Sequence, residues 1–296
     1  MTAFRSWWAL FVREYLEHRI AFLWFPIGIL GLLAISGVSA LSFNRIKVID
    51  GLVMPDALKV FELGYLVLLA LWLAYLAIAL FFYFGDAFAA DRRNNAMFFW
   101  KSMPVSDLKI LLSKYFAGSF VFPAVILLIG MVSGLLYFLL VNLAAYVVPS
   151  FALLDPVAAL GSFVQVTIFA IVYFVLTLLW YAPFLAWVGG LSTVFGRWSL
   201  PLAFVIPGLL AVIENISLFG TGPRFGYIWN YLAYRWDFAF DDADYTLLVF
   251  DGRPFSAGTF INRLLADIDW TQMGIGLVFA AGVLWLASEY RRRRIS

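Results

Sequence analysis

The sequence predicts an all-α integral membrane protein: six transmembrane helices, an N-terminal amphipathic interfacial helix, a short helix in a cytoplasmic loop, and an extracytoplasmic loop subdomain. Three observations predict it. Of the 296 residues, 64% are hydrophobic and only 13% charged, against about 25% charged in a soluble domain. Several uncharged apolar runs reach the length of about 20 residues that crosses the hydrocarbon layer. Lysine and arginine are distributed unevenly among the segments between those runs.

The spans fall at 20–42, 63–85, 110–141, 162–191, 201–219 and 271–289. They are apolar throughout rather than alternating, which selects helices over a barrel. Residues 1–19 are too polar for a signal-peptide core, so the first span is expected to stay in the mature chain. With the N-terminus inside, 13 of the 20 lysines and arginines fall on the cytoplasmic side, among them Arg5, Arg13, Lys101, Lys109, Lys114 and Arg291 to Arg294. Acidic residues gather in the last outer loop. Both termini are therefore expected inside.

Four units follow. Residues 1–19 place Phe4, Trp7, Trp8, Phe11, Val12 and Tyr15 on one half of a helix and Arg5, Ser6, Arg13, Glu14 and Glu17 on the other, the pattern of a helix lying in the membrane interface. It reads as an anchor or as a lever on the first span. Residues 20–219 hold the first five spans and the cytoplasmic loop 86–109. There Phe98, Phe99 and Trp100 sit among Asp91, Arg92, Arg93 and Lys101, outside any span, so they dip into lipid or need a partner surface. A short helix is expected at 89–100, ended by Pro104, with Ser106 capping the next helix. Residues 220–270 form an outer lid with an aromatic stretch, an acidic patch, a turn at Asp251-Gly252 and an amphipathic helix at 259–269. Residues 271–296 are the last span and a basic tail.

Absences narrow the chemistry. There is no cysteine and one histidine, His18, which leaves no zinc, haem or serine–histidine site of the usual kind inside the membrane. No G-x-x-x-x-G-K-[ST] is present, so no P-loop nucleotide site. Asp241, Asp242 and Asp244 lack the calcium-loop pattern and its glycine, and read better as a solvated face than as a metal site. Nothing points to nucleic acid. Glu214, beside Asn215, is the one ionisable residue well inside a span; such residues mark pathways or buried partners. Gln165 and Tyr181 are further polar candidates for a pathway lining.

The N-terminal run Arg13-Glu14-Tyr15-Leu16-Glu17-His18-Arg19, the six spans, the long loop before the last of them, and the run Asp91-Arg92-Arg93 … Phe99-Trp100-Lys101-Ser102-Met103-Pro104-Val105-Ser106 … Ser113-Lys114 resemble the permease subunits of ABC-2 type transporters. The resemblance implies a half-transporter without catalytic residues of its own, in a bacterial cytoplasmic membrane. Two six-span copies, a homodimer or a pair of similar permeases, would enclose a pathway. Two separate ATPase subunits carrying ATP and Mg would dock on a coupling helix that includes Asp91, Arg92, Arg93, Phe98, Phe99, Trp100 and Lys101. The cargo would be a lipid, a hydrophobic peptide or another amphipathic compound. The outer segment of about 50 residues departs from the short re-entrant turn usual in that family. A lone secondary transporter or channel, which would call for more intramembrane charges, and a non-transporting membrane anchor stand as the other readings.

Overall fold

A computed structural model describes residues 3–42, 56–93, 106–147, 152–219, 226–236, 238 and 254–294. The described residues are helical, with short connections. The α-helices are α1 (Ala3–Arg19), α2 (Phe25–Ser42), α3 (Ala57–Arg93), α4 (Asp107–Phe116), α5 (Phe122–Val147), α6 (Pro156–Phe195), α7 (Ser199–Glu214), α8 (Tyr227–Trp236), α9 (Ala257–Asp267) and α10 (Trp270–Arg294). Single π-helical stretches at Ile20–Trp24, Ala117–Val121 and Asn215–Phe219 keep the helices on either side of the first two in one continuous run and prolong α7.

Five helical stretches among the described residues are long and apolar enough to cross a membrane: Trp7–Ser42, Ala57–Ala90, Asp107–Val147, Pro156–Leu218 and Trp270–Arg293. The protein is thus multi-pass. The fourth stretch has 63 residues and is not straight. Gly196 sits at φ 58°, a left-handed conformation that glycine adopts without steric cost, and it ends α6. A short 3-10 turn at Gly196–Trp198 leads into α7. That helix returns along α6, where the Trp187 indole N–H donates to the Ala203 carbonyl at 3.4 Å. The expected division between an interfacial helix 1–19 and a span from 20 is present only as the π-helical stretch, since the chain is helical from Ala3 to Ser42.

Helix starts obey local chemistry. Ser106 caps α4 by accepting from the Lys109 N–H at 3.3 Å, as its spacing predicts. Asp155 caps α6, accepting from Val157 and Ala158 at 3.2 Å each, with Pro156 in the first turn where its missing N–H costs nothing.

The long helices α3 and α6 form the centre, with α5, α7 and α10 packed on them and α2 on α5. In lipid there is little hydrophobic drive between helices, so close packing and interhelical hydrogen bonds must hold the bundle. Gly134 of α5 lies against the Tyr65 ring of α3, where any Cβ would collide. The Tyr65 hydroxyl shares a hydrogen bond of 2.9 Å with Thr167 of α6. The Trp72 indole donates to Ser133 at 3.2 Å. Aromatic rings fill both ends of the bundle. Phe22 stacks on Phe122 at 3.9 Å between centroids at one end, and Phe255 stacks on Phe260 at 4.9 Å at the other.

Candidate functional site

The first end of the bundle gathers α1, the tail of α3, the head of α4, the α6–α7 turn and the C-terminal turns of α10. Glu14 of α1 and Lys114 of α4, both buried, form an ion pair at 3.1 Å. The Tyr83 hydroxyl of α3 lies between the same two residues, 3.2 Å from the other Glu14 carboxylate oxygen and 3.0 Å from the Lys114 carbonyl. His18 packs edge-on against Tyr83. Lys109 lies 5.2 Å from the Trp7 ring centroid. Together these contacts fasten α1 across α3 and α4 through charge rather than through apolar area alone.

Arg291, near the end of α10 and also buried, spans the two helix ends that flank residues 94–105. One guanidinium nitrogen donates to the Phe88 carbonyl of α3 at 3.4 Å, and Nε pairs with Asp107, the first residue of α4, at 3.5 Å. The Asp107 carboxylate also lies where a helix N-terminus favours negative charge. Ser199, at the start of α7, donates to the Gly85 carbonyl at 2.8 Å. The last part of α3 is thus tied to α10 and α7, and the first residue of α4 to α10.

The second end carries α8 and α9. Here side chains of the long helices satisfy backbone groups of the short ones. Glu214 accepts from the Tyr227 and Ile228 N–H groups at 3.0 and 2.8 Å, a carboxylate on the positive N-terminus of α8. At the other end of α8, Trp180 donates to the Arg235 carbonyl at 2.9 Å and Tyr181 to the Trp236 carbonyl at 2.6 Å. Gln165 accepts from the Ala257 N–H at 3.0 Å at the start of α9. Buried Glu62 accepts from the Phe255 N–H at 2.8 Å and the Ser162 hydroxyl at 2.6 Å, and pairs with Lys59 at 3.4 Å. These groups meet some of the orphan donors and acceptors that every short helix leaves at its ends.

Arg235 enters the bundle from α8. Its guanidinium stacks 4.2 Å from the Trp180 ring centroid. It donates to the Trp180 carbonyl at 2.6 Å and the Gln272 carbonyl at 3.2 Å. Gly276 of α10 makes the room: a Cβ there would stand 2.6 Å from Nη2. Beside it, Asp269 accepts from the Gln272 N–H at 3.0 Å and the Tyr234 hydroxyl at 3.1 Å. The Gln272 N–H holds the Asp269 carboxyl below its ordinary range, and desolvation, followed by that carboxylate, pushes the Tyr234 phenol up.

Of the residues singled out from sequence, Glu214 and Asn215 lie side by side at the end of α7. Asn215 is buried and bonds back to the Ala211 carbonyl at 2.7 Å. Gln165 and Tyr181 lie 16 positions apart on α6 and hold different helices of the loop subdomain. Asp91, Arg92 and Arg93 belong to the last turn of α3. Phe98, Phe99, Trp100 and Lys101 lie outside the described residues, as do Pro104, the acidic patch and the Asp251-Gly252 turn. The sequence marks Glu214 alone as a charge well within a span, yet Glu14 on the amphipathic α1 and Glu62, Lys114 and Arg291 on the longer helical runs are all buried. Extending the apolar runs by one or two helical turns would have brought in Glu14, Glu62 and Arg291, while Lys114 already falls within the predicted span 110–141.

Among the described residues, one group of side chains has the geometry of a cation site: Glu14, Glu17 and His18, whose ligand atoms lie within 4.8 Å of one another. The Lys114 ammonium already supplies the positive charge there, 3.1 Å from Glu14, so the group is better described as an ion-pair network than as a metal centre.

The long apolar helices, buried charges at both ends and helix-capping loop define a multi-pass helical membrane protein. Residues 60–221, more than half of the chain, match the family model described as ABC-2 family transporter protein. The chain belongs to that family, and it is a permease of the ABC type; the family implies association with an ABC ATPase and a membrane. No curated protein and no solved structure matches it.

Proposed function

We propose that the chain is the membrane subunit of an ATP-driven exporter, moved by separate ATPase subunits that dock on the loop 86–109. The reading counts α6 and α7 as separate spans, which would make six, and the excess of lysine and arginine favours a cytoplasmic Arg291 end. Two copies related by a two-fold axis would enclose the pathway, because closed dimers are the commonest assembly and six helices enclose little space. ATP and Mg would be held by the partner. The cargo would be amphipathic, as the resemblance to the family implies.

The observation that carries this reading, beside the family, is the Arg291 clamp on Phe88 and Asp107. A docking segment between Arg93 and Ser106 can do mechanical work only if both of its ends are fixed to helices that move. Arg291 ties them to α10, and Glu14–Lys114 ties α4 to α1, which suits α1 as a lever on the first span. Purification of the full chain from its native membrane in mild detergent tests the proposal. An ABC ATPase retained in the complex, with hydrolysis stimulated by an amphipathic compound, is expected. A chain that transports in vesicles with no ATPase and no ATP would contradict it.

A further inference from the structure

The two short helices of the loop subdomain are ordered in opposite senses. Helix α9 buries Ala257, Phe260 and Leu264 and turns Thr259, Asn262 and Asp267 outward, the ordinary arrangement of a helix against water. Helix α8 turns inward Ile228, Leu232 and Arg235, with Arg235 only 1% exposed, and turns outward Tyr227 (74%), Trp229 (40%), Tyr231 (44%), Tyr234 (45%) and Trp236 (72%), together with Asn230 and Ala233. Its charge is inside and its rings are outside. Against water that order is backwards.

We infer that α8 lies in the interfacial layer of the bilayer, its aromatic face among the headgroups and upper acyl chains of the leaflet at that end. Three features select lipid as the occupant. Tyrosine and tryptophan join an apolar body to a polar tip and concentrate at headgroup depth. The surface is continuous with that of a span: Glu214 fixes the start of α8 beside the end of α7, where Ile213, Ile216 and Leu218 are exposed. The charge and the backbone ends of α8 are provided for from within, since Glu214 takes the Tyr227 and Ile228 N–H groups, Trp180 and Tyr181 the Arg235 and Trp236 carbonyls, and backbone carbonyls the Arg235 guanidinium, while the exposed Asn230 suits headgroup depth. A helix so satisfied can leave water at low cost. The bilayer boundary at this end therefore runs along α8, while α9 stands in water.

The inference rests on the membrane-spanning fold alone and needs neither ATPase nor transport. Because the chain has no cysteine, single substitutions Trp229→Cys, Tyr231→Cys and Trp236→Cys on α8, and Thr259→Cys and Asn262→Cys on α9, can carry an environment-sensitive fluorophore in the full chain. The labelled proteins are reconstituted in phosphatidylcholine vesicles, with either a headgroup-proximal nitroxide lipid or iodide on both sides as quencher. Nitroxide lipid is expected to quench α8 probes at least about twofold more than α9 probes, and iodide the reverse, because only one helix sits at headgroup depth. Iodide quenching on α8 equal to that on α9 overturns the inference. So do α8 probes shielded from both quenchers and cross-linked between copies, which would make the face a protein interface.

Discussion

Both ends of this bundle carry side-chain bonds to backbone carbonyls, but they differ in what their carboxylates meet. At the Arg291 end, side chain meets side chain across helices: Glu14 with Lys114, Asp107 with Arg291. At the other end, side chains of the long helices meet the backbone of short ones: Glu214, Glu62 and Gln165 accept main-chain N–H groups, and Trp180 and Tyr181 donate to main-chain carbonyls. An ion pair between two helices couples rigid rods without fixing the loop between them. A cap on a backbone terminus fixes the loop itself. The contrast teaches that one end ties long helices to one another, while the other holds the short helices α8 and α9 by their backbone termini.

The largest effect expected from breaking this contrast is at the buried pair. Lys114→Met leaves buried Glu14 without its ion-pair partner, a loss of about 3–5 kcal/mol, to be read as lowered thermal stability in detergent. Lys114→Met with Glu14→Leu should recover most of it, whereas an unaffected single variant would mean that the charges do not tie the helices. Gly276→Ala comes next: its methyl would meet the Arg235 guanidinium, costing about 1–3 kcal/mol through overpacking, and the cost should vanish in the Arg235→Ala background. Glu214→Gln weakens the cap of α8 by about 1 kcal/mol and should change transport more than expression; equal transport removes Glu214 from the pathway.

The smallest effect is at Asp269. Its folded-state carboxyl lies below the ordinary value, so its contribution is fully present above the unfolded value and is lost as pH falls through the folded one. Asp269→Asn should flatten stability in that acid window alone, visible in melting curves as a function of pH.

Much of the fold is legible in the sequence because lipid is an exacting solvent. Uncharged runs in α3, α5, α6 and α10 announce helices, and Ser106 announces the start of α4. The turn after α6 is legible, because the predicted spans 162–191 and 201–219 leave Gly196–Trp198 between them; the full length of α6, Pro156–Phe195, is not, because the helix runs several residues past the predicted span at each end. The site is less legible than the fold. Glu62 and Lys114 lie near the ends of apolar runs and look like ordinary edge charges until the helices extend past them. Arg235 reads as one more outer cation. Its role depends on Trp180, 55 positions away, and on the space at Gly276, a conjunction that no local pattern encodes.

The central claim is that force enters through the 94–105 connection from a separate ATPase. The most direct test is Phe99→Ala with Trp100→Ala in the full complex, followed by detergent purification and measurement of ATP hydrolysis. Removing an anchor aromatic from an interface costs about 2 kcal/mol or more, so the account predicts loss of the ATPase from a permease that still inserts and stays monodisperse. A double variant that retains its ATPase and couples hydrolysis to transport as before would contradict it.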